Sequence, residues 1–408
     1  MTAREYPVFT VTPKAERSLR AGHPWVYGEE VTAVEGAYQN GDMVDVVSNK
    51  GRYLGTGWVN DHSKIRVRII SRNANDTFDE AFFRRRVCYA LNYRKTVMGP
   101  VDYRCCRLIF GEADQFPGLT VDRFENILVT QVLSLGMERR KDWVYRALVE
   151  LLREDGEQID AIYERNDVTI RTLEGLEQGK GFYQMEGLRT DLSGHVTITE
   201  NGIKYDVDYI EGQKTGFFLD QKYNRQAAAK LARGRRVLDC FTHTGAFALN
   251  AAAAGAEHVT AVDVSAFALE LAAENGKRNG LTNLDYKCAD VFDLLTEMAK
   301  EKKCDYDYII LDPPAFTKSR ATAKNAYHGY KEINRKAMRL LPRGGYLATC
   351  SCSHFMTDEM FRKMLREAAL DAGVTLRQIE ARQQAPDHPI LPGVPETDYL
   401  KFYLLQVV

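Results

Sequence analysis

A chain of 408 residues is too long for one ordinary hydrophobic core and implies two or three domains. With 45% hydrophobic and 27% charged residues it has a globular balance, and no window approaches the ~18 apolar residues that a membrane span requires. A net charge of -1 excludes a global polyanion-binding signature, so any contact with nucleic acid has to come from local patches.

Eight cysteines without metal-ligand spacing point to reduced thiols in a cytoplasmic protein rather than to a disulfide framework, and leave a reactive cysteine open. The first seven residues carry no apolar signal core. Residues 1–73 read as small and β-rich, because 42–47, 53–59 and 64–70 are β-branched and aromatic runs punctuated by glycine and asparagine. In the last of these, Ile65, Val67 and Ile69 alternate with Lys64, Arg66 and Arg68, which predicts one buried and one cationic face. Lys14, Arg17 and Arg20 recur at three-residue spacing and would lie near one another on a helix. Ten Lys/Arg against eight Asp/Glu over 1–73 is a small surplus, so a solvated face explains these charges as well as a ligand does.

Residues 71–79 are polar and irregular, as a linker is. Phe82, Phe83, Val87 and Leu91 predict a helix over about 80–97. Strands at 119–123, 127–133 and 161–164, with a helix near 140–153, make a small α+β domain ending near Leu188. The division is then 1–73, 74–188 and 189–408. For Tyr163-Glu164-Arg165-Asn166-Asp167 the residues suggest a structural ion pair, with an inter-domain or RNA contact as the alternative. Asn201-Gly202 within 195–210 is the strongest hairpin signal. Residues 215–222 lead into a helix to about Arg233, with Asp220 able to cap it. Strands and helices then alternate to the C-terminus, which predicts a doubly wound, mostly parallel sheet.

Within that region Arg236-Val237-Leu238-Asp239-Cys240 is a strand that breaks at a turn containing Gly245 and restarts as an alanine-rich helix. Such turns open the ligand crevice at the carboxyl ends of the strands. A dinucleotide loop wants three spaced glycines under a pyrophosphate, and this one has Gly245 alone. The second strand, 257–263, ends in Asp263, placed to accept hydrogen bonds from two ribose hydroxyls. A nucleoside without phosphates fits, and S-adenosylmethionine is the commonest such cofactor.

The ordered motifs Asp239 to Gly245, Asp263, Cys288-Ala289-Asp290, Asp312-Pro313-Pro314 and Thr349-Cys350-Ser351-Cys352-Ser353 resemble those of class I S-adenosylmethionine-dependent methyltransferases. More narrowly they resemble the RlmI-like family of large-subunit ribosomal RNA cytosine-carbon-5 methyltransferases, and the likeness runs nearly the whole chain. It implies an α/β fold: a Rossmann-like seven-stranded methyltransferase domain, a small α+β central domain and, at 1–73, a small PUA-like β-barrel that binds RNA. It also implies S-adenosylmethionine as cofactor, with Asp239, Thr242, Gly245, Asp263, Asp290, Gln221 and Asp312 around it. Ribosomal RNA is the implied partner, without metal or membrane, and a homodimer is one option for the assembly. The last strand, 399–407, is expected as a reversed strand at the sheet edge.

Two prolines in Asp312-Pro313-Pro314 fix the backbone and remove amide donors, so the loop presents carbonyls and one carboxylate in a preset direction, suited to the donor edge of a nucleobase. Side-chain alternation puts Cys350 and Cys352 on the same side of the fifth strand, with Cys352 nearer the open end. Carbon 5 of cytosine is a poor nucleophile, and a thiolate added at carbon 6 turns it into an enamine carbon. Cys352 matches the cysteine of the family's Ser-Cys-Ser motif and is the implied nucleophile, Asp312 the group that holds or protonates ring nitrogen 3. Cys350 is read as core. Pro314 stands where many RNA cytosine methyltransferases carry a second cysteine for product release, so release needs another base, with water and His354 as options. The polar, basic stretch 317–325 suits either a phosphate-contacting lid or an exposed loop. Three rivals remain. Nitrogen methylation is weakened because Ala315 precedes Phe316 where an aromatic would follow the prolines directly. An inactive assembly factor sits poorly with four intact acids, and a small-molecule methyltransferase leaves the N-terminal segment without a task.

Overall fold

In the computed structural model, which describes residues 5–301, 304–317 and 322–408, the β-branched runs near the N-terminus pair into a six-stranded sheet. Its strands run in the order Trp25–Tyr27, Ile65–Ser71, Tyr53–Val59, Met43–Ser48, Val8–Val11, Val31–Glu35. All neighbours are antiparallel except Val8–Val11 with Met43–Ser48. The helix Pro13–Arg20 starts where the Thr12 hydroxyl accepts from Ala15 N at 3.3 Å, and it buries Ala15 and Leu19 against Phe9, Val11, Val44 and Val67. Of the predicted cationic face, Lys64 stays exposed while Arg66 and Arg68 are paired within the fold. Arg68 is buried and ion-paired to Glu174 at 2.8 Å and Glu112 at 3.3 Å, and Arg66 pairs with Asp61. Lys14 pairs with Glu30 at 3.1 Å. Period-two alternation sets the face a side chain occupies, and the sheet here meets protein on both faces.

A five-stranded sheet follows, ordered Lys180–Phe182, Ala161–Arg165, Ile127–Val132, Leu119–Phe124, Cys105–Phe110. The helix Glu80–Val97, capped by Asp79 on Phe82 N at 2.9 Å, buries Phe82, Phe83, Val87 and Leu91 as their spacing predicts. In the run 163–167, Glu164 pairs with Lys141 at 2.8 Å, Arg165 pairs with Asp167 at 3.1 Å, and Asn166 Oδ1 accepts from Val132 N at 2.8 Å. These bonds supply the ion pairs that the residues suggested. Both sheets belong to one compact unit, made of Met1–Ile198, Val207–Leu219 and Pro386–Thr397. The late segment enters through Asp387, whose Oδ2 accepts from Arg107 N at 2.8 Å and whose carbonyl accepts from the fully buried Arg94 at 2.8 Å.

The second unit comprises Thr199–Asp206, Asp220–Ala385 and Asp398–Val408. Asn201 and Gly202 both take positive φ, 54° and 81°, at the tip of the hairpin His195–Glu200/Ile203–Asp208, as a two-residue turn of this kind demands. After helix α1 (Lys222–Ala229) the sheet strands are β1 (Arg236–Cys240), β2 (His258–Asp263), β3 (Leu284–Cys288), β4 (Tyr308–Leu311), β5 (Tyr346–Ser351), β6 (Leu376–Arg382) and β7 (Lys401–Val407). Between them run α2 (Ala246–Ala253), α3 (Ala266–Arg278), α4 (Val291–Glu301), α5 (Ala323–Leu340) and α6 (Asp358–Ala372). The order is β3-β2-β1-β4-β5-β7-β6, with β1 to β5 parallel and the β5–β7 and β7–β6 pairs antiparallel. Two expectations are corrected. Helix α1 ends at Ala229 rather than near Arg233, because i to i+3 bonds from Leu231 and Ala232 replace the helical ones. Strand β7 is reversed but interior: Phe402, Tyr403, Leu404 and Leu405 are buried, apolar on both faces, while half-exposed β6 takes the edge.

Candidate active site

Past the end of β1 the chain turns through three positive φ angles, Phe241 at 63°, His243 at 52° and Gly245 at 84°. Two of these carry side chains, a conformation that costs on the order of 1–3 kcal/mol each and persists only where surroundings impose it. Hydrogen bonds from the turn's backbone N–H groups impose it here: Thr242 N to Val262 O at 2.9 Å, Gly245 N to Thr242 O at 2.9 Å, and His243 N to the Asp263 carboxylate Oδ2 at 2.9 Å. A Cβ at Gly245 would lie 2.4 Å from Leu249 Cδ1 and 3.0 Å from Ala272 Cβ, so both the turn and the approach of α2 to α3 require glycine.

Asp239 is fully buried. Its Oδ2 accepts from the Thr242 hydroxyl at 2.6 Å, whereas Oδ1 is left without a hydrogen-bond partner. Burial pushes its pKa up to about 7, and the Asp312 and Asp263 carboxylates add to the effect. Asp263, at the end of β2, is held on both oxygens, with Oδ1 accepting from Ser265 N at 2.9 Å. Apolar Val264 and Phe267 beside it are 73% and 61% exposed. Asp290 is exposed and caps α4, accepting from Phe292 N at 2.8 Å and Asp293 N at 3.1 Å. Its neighbour Ala289 donates to Asp263 O at 3.0 Å, so the two acids occupy adjacent strand ends.

On the reacting side, buried Gln221 donates to Asp312 Oδ1 at 3.0 Å and accepts from Asn224 at 2.7 Å. Asp220 does not cap α1; its Oδ2 accepts from the Tyr399 hydroxyl at 2.6 Å, and Gln221 is the cap residue. Solvent reaches part of Asp312, yet its carboxyl is packed deeply enough that lost hydration, reinforced by the Asp220 charge, raises its pKa to about 6. Cys350 is fully buried with its thiol against Asp312 and Gln221, and burial followed by the Asp312 charge drives its pKa well up, as suits an inert thiol. Cys352, one residue past β5, is half-buried between the buried Ser351 and Ser353. The Ser353 hydroxyl donates to Thr317 O at 3.2 Å, tying this loop to the one that follows Asp312-Pro313-Pro314. Phe316 packs against Tyr330 and Phe292 at centroid separations of 4.5 and 5.8 Å. His354 is half-buried, its Nδ1 without a partner. Of the basic stretch 317–325, residues 318–321 lie outside the described residues.

The structure thus gathers Asp239, Thr242, Gly245 and Asp263 at the ends of β1 and β2, and links Gln221, Asp312 and Cys350 by direct contact. Sequence reasoning passed over Lys401. Its Nζ donates to Ser353 O at 2.6 Å and Tyr399 O at 2.8 Å, and a lysine buried at the head of an apolar strand was the signal to follow.

A glycine-poor turn, an acid after β2, an Asp-Pro-Pro loop after β4 and a reversed interior β7 define an S-adenosylmethionine-dependent methyltransferase. Residues 183–404 match the S-adenosylmethionine-dependent methyltransferase family and residues 9–72 the PUA-like domain family. The chain is 42% identical over 399 residues to the ribosomal RNA large subunit methyltransferase I of Shewanella denitrificans, covering 97% of this chain and 98% of that protein. It is 40% identical over 401 residues to the Pseudoalteromonas atlantica protein of the same name, covering 98% and 99%. The fold is shared with a candidate SAM-dependent methyltransferase from Streptococcus mutans, TM-score 0.81 at 22% identity over 98% of this chain and 100% of that one. SMU.776, solved with SAH, aligns at TM-score 0.82, also at 22% identity over 98% and 100%. The chain belongs to the ribosomal RNA large subunit methyltransferase I family.

The residues present fit this cofactor. A buried carboxylate oxygen lacking a donor suits an ammonium group, and the turn at Gly245, with no room for a Cβ, suits close approach of backbone to ligand.

Proposed function

We propose that the protein methylates carbon 5 of a cytosine in 23S ribosomal RNA through a covalent adduct on Cys352. The observation that carries the reading is Cys352 at the open end of β5, on a loop tied through Ser353 to the Asp312 loop, with Asp312 titrating near 6. Relatives that match almost end to end are named for the large-subunit ribosomal RNA. In the division of labour we propose, residues 1–73 grip RNA, 74–188 form a central domain and 189–408 carry the chemistry, in the cytoplasm where ribosomes are made.

When bound, S-adenosylmethionine supplies an electrophilic methyl group on a sulfonium. We assign Asp239 and Thr242 to its amino-acid end, Asp263 to the ribose hydroxyls, Asp290 to the adenine edge, Gly245 to backbone approach, and Gln221 with Asp312 to the reacting end. The Cys352 thiolate adds to carbon 6. The electron pair of the 5,6 double bond shifts to form a double bond between carbons 5 and 4, and the former carbon 4–nitrogen 3 pair takes the proton of Asp312. Carbon 5, now an enamine carbon, becomes methylated. A base, for which we take His354, then removes the carbon-5 proton; that electron pair restores the 5,6 double bond, Sγ leaves as thiolate and the nitrogen-3 proton returns to Asp312. Packing of Phe316 into Tyr330 and Phe292 counts against the nitrogen-methylating alternative, since that ring is engaged in the core.

RNA carrying 5-fluorocytidine, which has no carbon-5 proton to release, should trap the enzyme on the peptide containing Cys352. Loss of 5-methylcytosine from the ribosomal RNA of cells lacking the gene should accompany it. Normal methyl transfer by Cys352→Ala would refute the covalent route.

A further inference from the structure

The mechanism above leaves one buried cation without a task. Lys401 opens β7, is 4% exposed, and lies opposite Ser351 in the ladder with β5. From there its Nζ reaches forward to Ser353 O at 2.6 Å, so the side chain spans from one neighbour of Cys352 to the other. An ammonium carries three N–H donors. Two go to carbonyls, Ser353 and Tyr399, and among the described residues Lys401 makes no ion pair. Burying a cation without a counter-ion is costly and needs a compensating charge. Burial holds the Lys401 pKa down at about 8, and of the charges that oppose the drop Cys352 acts most strongly, ahead of Asp398 and Asp358. Among the described residues, Tyr330 on α5 and Cys350 on β5 also feel Cys352.

We propose that the Lys401 ammonium holds Cys352 as a thiolate, which makes Lys401 the positioning residue of the nucleophile. The inference deepens the covalent reading and rests on it. The Nζ sits at the carbonyl of the residue that follows Cys352, and an opposite charge nearby favours the ionised form of both partners. The sulfur is then charged before RNA arrives, and no separate base has to remove its proton. A tether between two carbonyls alone would hold the loop equally well in every charge state, so the titration of the thiol separates the two roles.

The test is the pH dependence of iodoacetamide alkylation at Cys352 in the full-length protein, read by peptide mass spectrometry. The wild-type midpoint should fall clearly below an ordinary thiol's ~8.5. Lys401→Met should raise it by about one pH unit or more, slowing alkylation near pH 7 about tenfold, and Lys401→Arg should stay close to wild type. Should Lys401→Met fail to fold, the wild-type and Lys401→Arg midpoints still decide: a wild-type value at or above that of an ordinary thiol overturns the proposal, as does an identical midpoint in a folded Lys401→Met. Alkylation needs neither RNA nor cofactor. A lowered midpoint with no trapped 5-fluorocytidine adduct would defeat the covalent reading while leaving the Lys401 effect intact, and an adduct with an unmoved midpoint would do the reverse.

Discussion

Asp239 and Asp312 are two carboxyls whose pKa values rise for the same first reason, burial, and whose proposed tasks differ by what surrounds them. Asp312 accepts from Gln221, and in the proposed mechanism it gives its proton to nitrogen 3, so Asp312→Asn, which accepts and donates hydrogen bonds but cannot surrender a proton, should lower methyl transfer by about 10²–10⁴-fold with cofactor binding retained in calorimetry. Asp239 has an unsatisfied oxygen. Its folded pKa of about 7 lies above the ordinary 3.8, so the folded chain binds the proton more tightly and loses stability as pH rises from about 4 to about 7. Asp239→Asn should therefore melt at a higher temperature than wild type at pH 8 in cofactor-free protein, with the gap closing toward pH 5. A gap independent of pH would mean that burial is not what shifts this group.

At the scale of elements, the turn after β1 and the strand order decide the site. Gly245→Ala adds a methyl that meets Leu249 and Ala272 at a positive φ, and should destabilise the second unit by about 1–3 kcal/mol, read as a lowered urea midpoint, with cofactor affinity falling as well. Interior β7, hydrogen-bonded on both sides, should exchange its amide protons as slowly as β5, while edge strand β6 exchanges faster. Equal exchange of β6 and β7 would contradict the order.

For the whole molecule, the consequential fact is that the last 23 residues divide between two units, Pro386–Thr397 in one and Asp398–Val408 in the other. In the first unit Asp387 satisfies Arg107 N through its side chain and Arg94 through its carbonyl, and Arg94 is fully buried with Asp114 at 2.7 Å. Removing the Asp387 carboxylate leaves Arg107 N without its acceptor, so Asp387→Ala should cost about 1–3 kcal/mol in the unit that carries the N-terminal sheets, although position 387 follows the methyltransferase strands β1 to β6 in sequence. Differential scanning calorimetry that resolves the transitions would show which one moves.

The helix Glu80–Val97, the hairpin turn at Asn201-Gly202 and the strand-turn-helix around Gly245 were legible in the sequence because each rests on local rules: apolar period, positive φ at a turn, a glycine where backbone must bend. The motif acids were legible for the same reason, being fixed to strand ends by position. What only the tertiary structure decided was non-local. Arg68 looked like solvent-facing charge until Glu112 and Glu174, far along the chain, were found beside it, and 399–407 looked like an edge until β6 paired outside it. The bond from Lys401 to Ser353, the neighbour of Cys352, joins residues 48 positions apart, and no periodicity within either strand encodes that meeting, because pairing register is set by which faces must be buried together.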